Sequence, residues 1–216
     1  MKINHLATVC GLLVSLYSGM SQAALITTNT LAVTDDFSNF TGATSTNGPV
    51  TLNSGAIWST SYAFSFIGNS TYALNTNGNW TTARNGFTGL NTVTGSMTYT
   101  LPSLTDYVGG FINYSTSATT TPLPHVIIEA LDASSNVLES YNITDLSPIS
   151  TTANDDGSFF GFSRSTADIS AFRVSNAYVV LDDLTYNLSP VPVPAAAWLF
   201  GSGLLALIGM ARRRKA

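Results

Sequence analysis

The 216-residue chain has one cysteine, two histidines and only eight lysines and arginines. The cysteine, Cys10, lies in an apolar leader and lacks the Leu-x-small sequence that precedes a lipidated cysteine, so it reads as a hydrophobic filler. The rest of the chain can therefore form neither disulfides nor thiolate metal sites. His125 is the only histidine after His5, which excludes a zinc site built on clustered imidazoles and leaves a Ser-His-Asp triad a single possible base. Basic charge is missing from the middle of the chain. Arg212, Arg213, Arg214 and Lys215 stand near the end and Lys2 near the start. Between Ala24 and Leu188, Arg84, Arg164 and Arg173 face all twelve acidic residues, a net charge near −9. Such a surface repels phosphates and offers no basic stripe, so nucleic acid is excluded as a partner.

What remains is rich in Thr, Ser, Asn and Gly, with 11% aromatic residues. That aromatic and β-branched content favours a packed β domain over a disordered polar stalk. The body, about 165 residues, is one domain's worth. Short apolar or alternating runs bounded by turn residues mark strands at Ala56 to Ile67, Thr92 to Leu101, Val108 to Tyr114, Val126 to Asp132, Val137 to Ile143, Ser158 to Phe162, Ala171 to Val174 and Tyr178 to Tyr186. Ala133 to Asn136 should link two of them as a hairpin, and Ser115 to Pro124 should form a long loop. No segment keeps a helical period for three turns. The pattern implies an all-β fold, a two-sheet β-sandwich of jelly-roll-like type.

The two ends are unlike the body. Residues 1–23 have the parts of a secretory signal peptide: Lys2, the apolar run Leu6 to Tyr17, and Ser21-Gln22-Ala23 before the cut. Export by the Sec machinery and cleavage by signal peptidase after Ala23 are expected. Residues 189–216 hold Val191-Pro192-Val193-Pro194, an uncharged stretch over 195–211 and a basic end at 212–215. As a helix, that stretch would span ~25 Å, slightly under the ~30 Å of a bilayer core. Trp198 suits the outer interface, and the arginines stay cytoplasmic by the positive-inside rule. The prolines cannot continue the helix upstream, so they form a stiff, accessible segment outside the inner membrane.

The run Val191-Pro192-Val193-Pro194-Ala195-Ala196-Ala197-Trp198-Leu199-Phe200-Gly201-Ser202-Gly203, closed by Arg212, Arg213, Arg214 and Lys215, resembles a PEP-CTERM sorting domain. Val193 replaces the glutamate of the family's Pro-Glu-Pro, as in its Val-Pro-x-Pro variants. The resemblance implies an exosortase substrate of a Gram-negative bacterium that makes exopolysaccharide. Such a protein is held briefly in the inner membrane and then passed to the cell surface or matrix. The body, 24–188, more loosely resembles the β-sandwich ectodomains that precede such tails, through Gly109-Gly110-Phe111-Ile112, Phe159-Phe160-Gly161-Phe162 and Leu181-Asp182-Asp183-Leu184. Those ectodomains look like carbohydrate-binding jelly rolls.

Two acidic pairs follow from that likeness. Similar carbohydrate-binding domains place a structural Ca²⁺ between the first and last strands, where Asp35-Asp36 and Asp182-Asp183 would supply carboxylate ligands. Each pair could equally mark a turn or a solvated strand end. Trp58 and Trp80, with Tyr62 and Tyr72, are candidates for stacking on sugar rings, against the alternative of a buried core position. Catalysis has thin support, because His125 follows Pro124 without a partner motif and Glu129 and Glu139 sit in the expected hairpin. The reading is a non-enzymatic surface or matrix protein; the alternative is a carbohydrate-binding module or glycan-active enzyme with the same tail.

Overall fold

In a computed structural model of the chain, residues 24–84, 86–115, 124–146 and 154–187 are described. The leader with its Ala23 cut, most of the expected 115–124 loop, and the tail with Val191, Pro192, Val193, Pro194, Trp198, Arg212, Arg213 and Arg214 lie outside the described residues. Among the described residues no helix is long and apolar enough to cross a membrane.

The fold is all-β. Its strands are β1 (Ala24–Ile26), β2 (Gly42–Ser45), β3 (Val50–Thr51), β4 (Ile57–Thr60), β5 (Phe66–Asn69), β6 (Tyr72–Ala73), β7 (Asn79–Trp80), β8 (Phe87–Gly89), β9 (Ser96–Thr105), β10 (Tyr107–Asn113), β11 (Ile127–Leu131), β12 (Val137–Asn142), β13 (Ser158–Ser163), β14 (Ile169–Ser175) and β15 (Val180–Tyr186). One antiparallel sheet runs β1-β13-β10-β15-β8-β5-β2, and a second runs β12-β11-β14-β9-β4-β3. Their inner faces share a core that joins Trp58, Tyr99 and Phe172 of the six-stranded sheet to Ile67, Val108, Phe162 and Leu181 of the seven-stranded one. Phe162 meets Phe172 edge-on across the gap, with ring centres 6.1 Å apart.

The two sheets are buried differently. In β9 only alternate residues (Met97, Tyr99, Leu101) turn inward, the pattern of a sheet with one wet face. In β10 and β15 nearly every residue is buried, so the middle of the seven-stranded sheet is covered on both faces. The segment 70–84 provides the cover. It forms the β6–β7 hairpin and lays Leu74 and Trp80 on Phe87 and Val180 as a second, smaller core, flanked by Phe66, Tyr72 and Phe111. Leu181 and Ile112, next along their strands, belong to the inner core. The flap is therefore a third layer on the outer face.

Close packing of this sheet depends on small residues. Gly109 stands opposite Gly161, and a Cβ on Gly161 would collide with the Val108 carbonyl oxygen. The hairpin read from the sequence is present as β11 and β12. Asp132 closes it by accepting the backbone N–H groups of Ser134 and Asn136, each at 2.8 Å. The single strand expected over Ala56 to Ile67 is instead two strands in different sheets. Thr60 Oγ1 donates to the Tyr62 carbonyl at 2.8 Å, and Ser65 N–H donates to it at 3.2 Å. These local bonds compete with strand pairing and turn the chain from one sheet to the other.

Candidate functional site

The sequence-predicted acids lead to one place on the outer face. The pairing of β10 with β15 shifts between Gly109 and Phe111, which bulges β15 at Asp183-Leu184, next to Asp182. Asp183 adopts φ 53°, in the left-handed region. Asp182 points outward by alternation from Leu181, and the bulge absorbs the extra residue so that Leu184 returns to the inner core. There Arg84, at the end of the flap, donates from Nη1 to Asp182 Oδ2 at 3.2 Å and to Asp183 Oδ2 at 3.5 Å. Its guanidinium carbon lies 4.8 Å from the Trp80 ring centre and 3.8 Å from that of Phe111. A planar, weakly hydrated cation is suited to such a slot.

Beside this pair is a cavity of about 310 Å³ lined by Ala83, Arg84, Asp155, Asp182 and Asp183. Burial pushes the Asp182 carboxyl up to about 7, and the neighbouring Asp183 charge adds to the shift. The Asp183 N–H and Arg84 oppose it. Asp183 is also raised, mainly by burial, with Arg84 acting against it. A carboxyl that keeps its proton near neutrality can serve as an acid. Yet Asp182 is only 1% exposed, and both its oxygens accept hydrogen bonds, from Asp183 N–H at 2.7 Å and from Arg84. The geometry serves first to lock the flap onto the sheet.

Other bonds hold the same flap. Thr81 donates its N–H and its hydroxyl to the two oxygens of Asp155, each at 2.6 Å. Asp155 N–H returns a bond to the Asn79 carbonyl at 2.7 Å. Asn77 Nδ2 donates to the Tyr114 carbonyl at 2.8 Å.

The two acidic pairs of the Ca²⁺ expectation have these places in the structure. Asp35 pairs with Leu184, so the body's beginning and end do lie side by side. Each carboxylate, however, has protein donors of its own. Asp35 accepts the N–H of Ser54 at 3.1 Å and also its hydroxyl. Asp36 accepts from Ser38, whose hydroxyl and then backbone N–H hold it below the usual carboxylate range. Asp182 and Asp183 take Arg84 as their counter-charge. Among the described residues no group of three acids, histidines or cysteines is placed to hold a metal.

The sugar-stacking expectation for Trp58 and Trp80 is corrected. Both are 0% exposed, Trp58 between the sheets and Trp80 beneath the flap. An indole carries the largest apolar surface of any side chain, and both cores claim it. Neither indole N–H has an acceptor among the described residues. Tyr62 is exposed and meets Phe64, itself 62% exposed, edge-on at 5.8 Å. Tyr72 is half-buried between flap and sheet. His125 is exposed, with Nδ1 3.5 Å from Asp145. Glu129 pairs with Arg173 at 2.6 Å across β11 and β14. Sequence reasoning missed the union of Arg84 with Asp182, 98 residues apart; its only local trace was two adjacent acids inside an apolar strand. No protein-family model matches the chain, and no curated protein matches it.

Proposed function

We propose that this chain is an exported surface or extracellular-matrix protein of a Gram-negative bacterium, sorted and processed by exosortase and associated with exopolysaccharide. The observation that carries the reading is the tail: Val191-Pro192-Val193-Pro194, then the uncharged 195–211 stretch with Trp198, then Arg212 to Lys215. Residues 195–211 act as a transient inner-membrane helix, and the proline segment stays accessible to the enzyme outside. The body supports the reading in one respect. Its last strand ends at Tyr186, ahead of the prolines, so loss of 189–216 removes no described strand. The jelly-roll-like reading of the sandwich is supported by successive strands β9 and β10 entering opposite sheets and by the meeting of the first and last parts of the body.

Deleting the exosortase in the native host should leave an unprocessed form in the inner membrane. Identical processing without the enzyme would overturn the proposal. A glycan-active enzyme on the same route is the second reading, favoured by the raised Asp182 beside a cavity. Polysaccharide turnover by the purified protein, lost in both Asp182→Asn and Asp183→Asn, would shift the conclusion to it.

A further inference from the structure

A second cleft, of about 390 Å³, opens between the flap and the outer face of the seven-stranded sheet. That volume lies in the ~300–1,000 Å³ range of small-ligand sites. Its floor is aromatic. Tyr72 stands between Phe66 and Phe87, with ring centres 6.0 and 5.7 Å away at steep angles. Its walls are polar but uncharged. Tyr72 Oη donates to Asn91 Oδ1 at 3.0 Å, and Asn75 Nδ2 donates to Ser115 Oγ at 2.6 Å. Burial pushes the Tyr72 hydroxyl up, so it remains a donor at any physiological pH. The Asn91 bond uses only the amide oxygen, leaving the two N–H donors of that amide outside it. Among the described residues no Asp, Glu, Lys, Arg or His lines the cleft.

One wall is built with backbone strain. Asn176, Ala177 and Tyr178 have φ of 74, 56 and 50°, three successive left-handed residues. Their N–H groups are held by the carbonyls of Gly95, Val93 and Thr92, at 3.0, 2.9 and 3.0 Å. This conformation costs free energy for side chains with a Cβ, and it persists because its surroundings over-determine it. Its result is to place Tyr178 in the cleft.

Charge narrows the ligand. Each arginine of the body is already paired, Arg84 with Asp182 at 3.2 Å, Arg164 with Asp168 at 2.6 Å and Arg173 with Glu129 at 2.6 Å. A body near −9 without a free guanidinium among its described residues repels uronate or sulfated chains. The cleft itself has no acid to attract a cation. Aromatic rings with amide and hydroxyl partners fit a ligand that has an apolar face edged with hydroxyls.

We infer that the cleft between Tyr72, Asn91 and Tyr178 binds a neutral polysaccharide, taking a short stretch of uncharged sugar rings. This deepens the exopolysaccharide part of the proposed function. Its chemistry does not depend on the sorting tail, so failure here leaves tail processing untouched, and the reverse also holds.

The full chain, purified from membranes in neutral detergent, should be titrated calorimetrically with four polymers: an α-glucan, a β-glucan, a mannan and the neutral fraction of the host's exopolysaccharide. Polygalacturonate serves as the charged comparison. At least one neutral polymer should bind and polygalacturonate should not. Asn91→Ala should weaken binding about tenfold, the size of one lost hydrogen bond to a ligand. Tyr72→Phe, which keeps the ring, should weaken it severalfold, and Ser70→Trp should abolish it by filling the cleft. An unchanged thermal melt of Tyr72→Phe separates ligand loss from misfolding. Binding of none of the neutral polymers, equal binding of polygalacturonate, or binding that survives both Ser70→Trp and Asn91→Ala would overturn the inference.

Discussion

Each of the two hydrophobic cores is built on one tryptophan with no exposed surface, but they are held differently. Trp58 lies between two sheets, where long antiparallel ladders enclose it and the contacts are almost wholly apolar. Trp80 lies under a flap whose own hairpin has only two residues in each strand. The flap is therefore fastened by polar links: Arg84 to Asp182, Thr81 to Asp155 and Asn77 to Tyr114. Apolar packing dominates the inner core, with the Thr88 and Tyr99 hydroxyls bonded to each other inside it, whereas the outer one needs specific hydrogen bonds and charge at its edge. Both clefts border the outer one. The part of the molecule with the shortest hairpin strands is also the part that borders both clefts.

The largest effect should come from Trp58→Ala. It should cost ~3–5 kcal/mol and lower the urea midpoint of the whole domain. Trp80→Ala removes a ring of the same size, but it should release the flap first. Hydrogen exchange should then speed up across residues 72–84 while β9 and β14 keep their protection. Equal loss of protection in both sheets would remove the distinction between the cores.

Next in size is Arg84→Met, which strands a buried carboxyl. The cost should be ~3 kcal/mol at pH 8, where Asp182 must either ionise without its counter-charge or take up a proton, and clearly smaller at pH 5, where it already keeps its proton. The sign follows from linkage. Asp182 releases its proton near 3.8 in the unfolded chain but only near 7 in the folded one. Between those values the native state binds the extra proton. Its contribution to stability is complete below about pH 4 and is lost as pH rises through about 7. Urea midpoints across this window should show that slope, and Asp182→Asn should flatten it. The smallest effect expected is from Asp155→Ala, ~1–2 kcal/mol, from two hydrogen bonds lost at a partly buried site. It should appear as faster exchange in the flap rather than as a global midpoint shift.

The sandwich was legible because its main strands announce themselves. Met97, Tyr99 and Leu101 alternate with polar residues, and Val126 to Asp132 and Val137 to Ile143 flank a four-residue turn. The flap was not legible, because strands of two residues such as Tyr72–Ala73 and Asn79–Trp80 are too short to show a period. Short β8 was missed for the same reason, its Phe87–Gly89 set between glycines. For Trp80 the sequence leaves stacking and a core position open, and a tertiary contact with Phe87 and Val180 decides for the core. Tyr72 was singled out from sequence and does line a cleft. Its partners Asn91, Ser115 and Tyr178 come from distant segments, and no local pattern links them.

The most direct test of the sorting account is the intact mass of the protein isolated from the surface of its native host. A mass that begins at Ala24 and lacks the apolar 195–211 stretch and the basic end is the predicted result. A surface-located chain that retains residues up to Ala216, in a host that encodes an exosortase, would contradict it.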